Sequence, residues 1–153
     1  MLIYRLSGRF FIRYKGPVVR YWCVHNDMVC ETTSSARATP FVIWIAERGR
    51  EYDDKIMIGT DEVHISIGER CDKTIYFHRE SEDEDGDPKL RVYTVGGGPR
   101  WPPVPAKFIF SSFENGFIVG ELPETESGSY MYDKQIVGPI LKTEGSGRRW
   151  ELV

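Results

Sequence analysis

The three cysteines are the most reactive side chains in this sequence of 153 residues. Cys23, Cys30 and Cys71 are odd in number and have no Cys-x-x-Cys spacing. A disulfide framework uses paired cysteines and a structural zinc site uses closely spaced ligands, so neither is expected. We interpret the cysteines as buried or half-buried thiols, and the sequence leaves open whether any two of them pair.

The histidines and the glycine run show no pattern typical of catalysis or of cofactor binding. His25, His64 and His78 are widely separated, so we interpret them as ordinary packed or surface residues. Gly96-Gly97-Gly98 is not followed by the Lys-Ser/Thr pair of a phosphate-binding loop. The chain also contains neither a G-x-S-x-G nor an H-E-x-x-H motif. The sequence therefore predicts a protein that is not an enzyme and that binds no cofactor or metal.

An acidic segment at 81–88, SEDEDGDP, resembles the start of a calcium-binding loop. Asp83 and Asp85 precede Gly86 as they would in such a loop. With Gly86 at the sixth position, however, Val92 falls at the twelfth, where calcium requires a bidentate carboxylate. We therefore interpret the segment as a solvated acidic loop, suited to facing a basic partner surface.

Length, composition and charge predict one globular domain spanning residues 1–153. Hydrophobic residues make up 41% and charged residues 28%, and no apolar run is long enough to cross a membrane. The net charge of -3 argues against a protein that binds nucleic acid, which needs a basic surface. The residues after Met1 lack the pattern of a secretory signal, so we expect synthesis in the cytosol. Whether a pro-segment precedes Met1 is open.

The segment 107–120, KFIFSSFENGFIVG, is the strongest local indication of structure. Two aromatic stretches flank Glu114-Asn115-Gly116, and Asn-Gly supplies the positive φ angles of a tight turn. The pattern predicts a β-hairpin. The apolar run at 41–46 predicts a central strand, whereas residues 24–40 are polar and rich in turn formers, with a short apolar patch at Met28-Val29.

Alternating apolar residues predict twelve short strands in three sets of four, and little helix. The fourth strands begin near residues 41, 90 and 149, which is the spacing of a repeated architecture. Three four-stranded repeats that close on one another predict an all-β fold, the β-trefoil, with a two-sheet sandwich as the alternative. The predicted strands are 2–6, 10–14, 18–23, 41–46, 55–58, 63–67, 74–79, 90–95, 108–111, 117–119, 139–142 and 149–153.

Several of these apolar patterns resemble one family of β-trefoil proteins. Residues 108–118, FIFSSFENGFI, resemble the signature segment of the interleukin-1 family of cytokines. Glu114 at the turn is similar to the interleukin-18 branch. Three further stretches also look most like that branch, namely 11–13, 40–45, and 64–67 followed by Cys71 and 74–77.

The resemblance implies a signalling ligand that acts as a monomer and binds the immunoglobulin-like ectodomains of two receptor chains. It also implies release to the extracellular space without a signal peptide. A rigid barrel that presents polar loops and exposed aromatic residues suits such binding. Our candidate receptor contacts are Arg13 and Lys15, Glu31 and Arg37 at the ends of the loop 31–37, Trp101 in a proline-rich loop, and Asp133 and Lys134.

Two other functions are compatible with the same fold. A trefoil protease inhibitor would insert a stiff loop, and residues 96–105 are the candidate because prolines restrict their backbone. A receptor antagonist would bind one receptor chain without recruiting the second. The sequence does not rank agonist against antagonist, and it does not identify the receptor or the species. The tandem QxW motifs of ricin-type lectins are absent from the sequence.

Overall fold

The computed structural model describes residues 4–5, 9–45, 56–57, 59–68, 73–79, 86–94, 104–120 and 135–153. Within these residues the chain is all-β, as the sequence predicts, with two short helical turns. The strands are β1 (Tyr4–Arg5), β2 (Ile12–Tyr14), β3 (Tyr21–His25), β4 (Met28–Thr32), β5 (Val42–Ile45), β6 (Ile56–Met57), β7 (Glu62–Ile67), β8 (Lys73–His78), β9 (Lys89–Thr94), β10 (Phe108–Ile109), β11 (Phe117–Val119), β12 (Ile136–Lys142) and β13 (Trp150–Leu152); the turns are a 3₁₀ helix (Ser35–Arg37) and α1 (Ser112–Asn115).

Eleven of these strands form one curled antiparallel sheet that makes a half-barrel, and β1 pairs separately with β6. Along one path, β10 pairs with β7, and β7 also pairs with β5. Bridges between Phe10 and Phe41 and between Phe117 and Arg148 connect further parts of the sheet. Curling of this kind lets strands bury their apolar faces against one another across a shared core.

Three strands, β4, β9 and β12, each pair with the other two. Strand β9 meets β4 at the pair Met28–Arg91 and β12 at the pair Lys89–Leu141, whereas β4 and β12 pair at three positions, one of which is Cys30–Pro139. Each of these strands also pairs with one further strand, β4 with β3, β9 with β8 and β12 with β11. The arrangement ties three distant parts of the chain together.

Strand β4 corrects the interpretation of residues 24–40 as a polar, turn-rich connection. Asn26 and Asp27 have φ angles of 50° and 60°, which is the geometry of a two-residue hairpin turn. They join β3 and β4 in register from His25–Met28 to Tyr21–Thr32. Every residue of β4 is buried, so the strand lacks the alternation by which half-buried strands are recognised.

The segment 107–120 also departs from its prediction, because its two strands do not pair with each other. Strand β10 pairs with β7, β11 pairs with β12, and the four residues of α1 lie between them. The predicted hairpin is therefore wrong, although both strands are present. The cause is Phe113, which is fully buried on α1 and packs its ring against Phe110 and Phe117 at centroid distances of 5.7 Å.

Strand β5 follows the predicted position closely. Phe41, Ile43 and Ile45 are buried, whereas Val42 and Trp44 are only half-buried. Four of its residues pair with β7, from Val42–Ser66 to Ile45–Val63. This alternation identifies a strand with one core face. In the described residues β5 pairs with β7 alone, so the central place in the sheet that the apolar run predicted is not found.

Aromatic rings fill the core, and Trp22 is central among them. Its ring centroid lies 5.0 Å from that of Phe117, 5.8 Å from Trp150, 6.0 Å from Phe41 and 6.1 Å from Phe113. Three of these four contacts are edge-to-face, the arrangement that aromatic quadrupoles favour. The same core supports the outer face of β2, β3 and β13.

Candidate binding surface

Strand β2 places Arg13 on the outside of the sheet, because its neighbour Ile12 is fully buried. Arg13 lies opposite Tyr21 on β3 and opposite Glu151 on β13. Directly opposite residues on antiparallel strands project from the same face of a sheet. The pairing therefore sets Tyr21, Arg13 and Glu151 in a row across three strands.

Glu151 holds the guanidinium group of Arg13 in a defined orientation. Its Oε1 accepts a hydrogen bond from Arg13 Nε at 2.8 Å and lies 2.6 Å from Nη2. This hydrogen bond raises the pKa of Arg13, partly offset by burial, and Tyr21 adds a smaller upward contribution. The Arg13 side chain is still 37% exposed, so a partner can reach it in an orientation that is already fixed.

Exposed apolar residues border this row. Phe11 is 39% exposed and contacts the Tyr21 ring edge-to-face at 6.4 Å. Phe11 and Val153 exchange two backbone hydrogen bonds of 2.9 Å, and Val153 is also exposed. We call Phe11, Arg13, Tyr21, Glu151 and Val153 the Arg13 face. Arginine and aromatic residues supply most binding energy at protein interfaces, so the composition suits protein recognition.

Lys15, the second predicted contact, lies next to the Arg13 face. Its backbone nitrogen donates to the carbonyl oxygen of Arg149, and its ammonium group is 3.8 Å from Glu114 Oε1 on α1. The side chain is exposed. Surface ion pairs at this distance contribute little to stability, so Lys15 remains accessible to a partner.

Glu31 was predicted at the start of an exposed loop, and the structure corrects that placement. It lies within β4 with no exposed surface, opposite Trp22. Arg20 and Arg148 approach its two carboxylate oxygens at 3.2 Å each, and Arg148 also lies over the Tyr14 ring at 5.3 Å. Burial raises the pKa of Glu31, while the two guanidinium groups pull it down. The Glu31 carboxylate is therefore internal and is not available to a receptor.

The remaining predicted contacts are only partly placed. Arg37 is exposed at the end of the 3₁₀ helix. Trp101, Asp133 and Lys134 lie outside the described residues, as does Cys71. Of the proposed inhibitor loop at 96–105, only the last two residues are described, and that function stays a prediction.

Sequence reasoning named Arg13 but missed the rest of the Arg13 face. Glu151 is 138 positions away along the chain, and no local sequence pattern indicates its long-range contact with Arg13. Tyr21 lies in a predicted strand, but its outward direction depends on the register between β2 and β3. A register of this kind is fixed by the fold, because a shift of one residue would reverse every side chain.

A second surface feature is an open depression of about 510 Å³. Its lining is mostly polar and consists of Asp87, Ile118, Thr143, Glu144, Ser146 and Gly147. Lys142 lies close by; it donates to the Thr143 carbonyl oxygen at 2.7 Å, and burial lowers its pKa against the influence of Glu144 and Asp87. The ammonium group thus offsets the acidic charge of the lining.

Among the histidines, His64 is packed within the sheet. Its Nδ1 is 2.8 Å from the carbonyl oxygen of Ala106, and its ring lies 4.5 Å from that of Trp44. In the described part of the chain, no group of three or more His, Cys, Asp or Glu side chains is arranged to hold a metal ion. No described helix is long and apolar enough to cross a membrane.

Comparisons of the chain with protein-family models, with curated proteins and with solved structures found no match. The indications of function are therefore the geometry of the Arg13 face and the sequence pattern of the strands.

Proposed function

We propose that this chain is a β-trefoil signalling ligand of the interleukin-1 type that binds immunoglobulin-like receptor ectodomains through the Arg13 face. The observation that carries the proposal is the Arg13 guanidinium group, held by Glu151 at 2.6 to 2.8 Å on the same face as the exposed ring of Phe11. Such a surface loses little side-chain entropy when it docks.

Strand pairing supports the trefoil part of the proposal, with repeats that differ from the predicted sets. The first repeat is β2 to β5 and the second is β7 to β10. The third contains β11, β12 and β13, and residues 121–134, between β11 and β12, are outside the described part. The repeats begin at Ile12, Glu62 and Phe117, about 50 to 55 residues apart.

The three mutually paired strands have matching places in this scheme. Each of β4, β9 and β12 follows a partner strand and precedes the last strand of its repeat. Threefold pairing of hairpins is the expected way to close one side of a trefoil barrel. Closure removes exposed sheet edges, which makes the outer face of β2, β3 and β13 a stiff platform for recognition.

Charge reversal at Arg13 is the direct test. We expect Arg13→Glu to weaken receptor binding at least about tenfold, because truncation of a hot-spot arginine typically costs about 2 kcal/mol or more and tenfold corresponds to about 1.4 kcal/mol. Association should also slow and become less sensitive to salt. The measurement is surface-immobilised binding to a panel of interleukin-1-family receptor ectodomains, including the interleukin-18 receptor chains, over a range of ionic strength.

Two variants separate recognition from folding. Lys107→Glu also reverses an exposed charge that faces a carboxylate, because Lys107 Nζ is 4.0 Å from Glu62 Oε2. Lys107 immediately precedes β10 and is not part of the Arg13 face. This variant should bind as the parent does. An Arg13→Glu/Glu151→Arg exchange keeps an ion pair between these two positions but should not restore receptor binding. Equal kinetics for Arg13→Glu and the parent, or no binding to any ectodomain by folded protein, would refute the proposal.

A further inference from the structure

Cys23 and Cys30 lie directly opposite one another in the β3–β4 hairpin. Their side chains therefore project from the same face of the sheet. Neither is in a disulfide, and their exposures are 2% and 0%; the Cys30 thiol donates to the carbonyl oxygen of Met28 at 3.7 Å. Together with Met28 and Ile136 they form a small apolar cluster that is separate from the main core.

The hairpin geometry places these two cysteines within reach of a bond. A two-residue turn at Asn26-Asp27 is closed by a hydrogen-bonded pair, His25–Met28, and pair types alternate along the ladder. Cys23–Cys30 lies two pairs further on and is of the same type, for which Cα atoms are about 5.5 Å apart. Disulfides span Cα separations of about 4.4 to 6.8 Å, which includes this pair, and Cβ separations of about 3.5 to 4.5 Å. Cβ atoms of a hydrogen-bonded pair are about 5.5 Å apart, so the two strands must approach by about 1 Å when the bond forms.

We propose that Cys23 and Cys30 are an oxidisable pair that closes a cross-strand disulfide on contact with a low-molecular-weight disulfide such as oxidised glutathione. One thiolate attacks the external disulfide, forms a mixed disulfide and releases one glutathione thiolate. The second cysteine, as thiolate, then attacks the protein sulfur and releases the other glutathione. The protein loses two protons and two electrons, and the external disulfide is reduced to two thiols.

Burial controls when this exchange takes place. The pKa of Cys23 is raised to about 12, mainly by loss of solvent; Cys30 and Glu31 contribute to the rise and Arg37 opposes it. Only the thiolate is an effective nucleophile, so the folded protein reacts slowly. The same residues are exposed before the hairpin packs, and the bond therefore forms during folding in an oxidising medium. The inference does not depend on the proposed receptor binding.

Refolding the full chain in mixtures of oxidised and reduced glutathione tests the proposal. The expected product lacks two hydrogens by intact mass, and its peptide map contains a cross-link between Cys23 and Cys30. The bond closes a small loop, so the melting temperature should exceed that of the reduced protein by roughly 5 °C. In the folded, reduced protein both thiols should react with a thiol reagent much more slowly than after denaturation.

A Cys71→Ser variant keeps the pair and removes the only other cysteine of the sequence, so it should still form the cross-link. A further Cys23→Ser change should abolish both the mass loss and the thermal shift. Peptide mapping of the wild-type chain gives the same answer if a variant does not fold. Cys23 and Cys30 that stay reduced at a high ratio of oxidised glutathione, or a bond from either to Cys71, would overturn the inference.

Discussion

Removal of both guanidinium partners of Glu31 is expected to lower the free energy of unfolding by about 3–5 kcal/mol at pH 7. The carboxylate has no exposed surface, and Arg20 and Arg148 each approach it at 3.2 Å. Without them an ionised carboxylate would remain buried without counter-charge. An Arg20→Met/Arg148→Met variant retains apolar stems at both positions, so urea unfolding measures mainly the loss of charge.

Neutralising Glu31 in this variant is the matched control. An added Glu31→Gln change keeps the side-chain shape and should restore most of the lost stability, because no buried charge is left uncompensated. If the triple variant were no more stable than the double variant, the loss would come from the packing of the arginine stems. The carboxylate charge would then be irrelevant.

The loss of unfolding free energy in the Arg20→Met/Arg148→Met variant should also depend on pH. Burial raises the pKa of Glu31, and the double variant removes the two groups that oppose this rise. A carboxyl whose pKa is raised on folding binds its proton more tightly in the folded state. The contribution of this carboxyl to stability is then fully present below its pKa in the unfolded chain, about 4.3, and is lost as pH rises through its higher pKa in the folded protein. The difference between double variant and parent, compared at equal pH, should therefore shrink in acid.

The contrast between β9 and β4 explains how much of the fold could be predicted. In β9, Leu90 and Val92 are buried and alternate with less buried residues, so the strand is visible in the sequence. In β4, which pairs with β3 and β12 along its two edges, all five residues are buried, polar Glu31 included. Polarity then suggests a loop where the chain forms a strand. The Asn26-Asp27 pair was the one available signal.

The candidate surface was predicted less completely than the fold, for a related reason. Arg13 could be named because it lies in a recognisable strand. Its partners Tyr21 and Glu151 come from the registers of β2 with β3 and with β13, and those registers are long-range properties of the sheet. The same holds for Glu31, whose partner Arg148 lies 117 positions away. Pairing of this kind follows from packing the whole core.

Replacement of Phe113 by alanine should also lower the free energy of unfolding by about 3–5 kcal/mol. A strand through 108–113 with Phe108 and Phe110 inward would place Ile109, Ser111 and Phe113 outward. Ile109 and Ser111 are indeed exposed, but α1 interrupts the alternation and turns Phe113 inward. Its fully buried ring lies 6.1 Å from that of Trp22, so truncation leaves a cavity between aromatic rings.

Ser111→Ala is the matched control for this measurement by urea unfolding. Ser111 is exposed and stands at the N-cap of α1 without a side-chain capping hydrogen bond, so its loss should change stability by no more than about 0.5 kcal/mol. Phe113→Leu keeps much of the apolar volume and should fall between the two. A Phe113→Ala variant as stable as Ser111→Ala would mean that the ring lies outside the core. The segment would then follow strand alternation, and the aromatic cluster around Trp22 would not depend on α1.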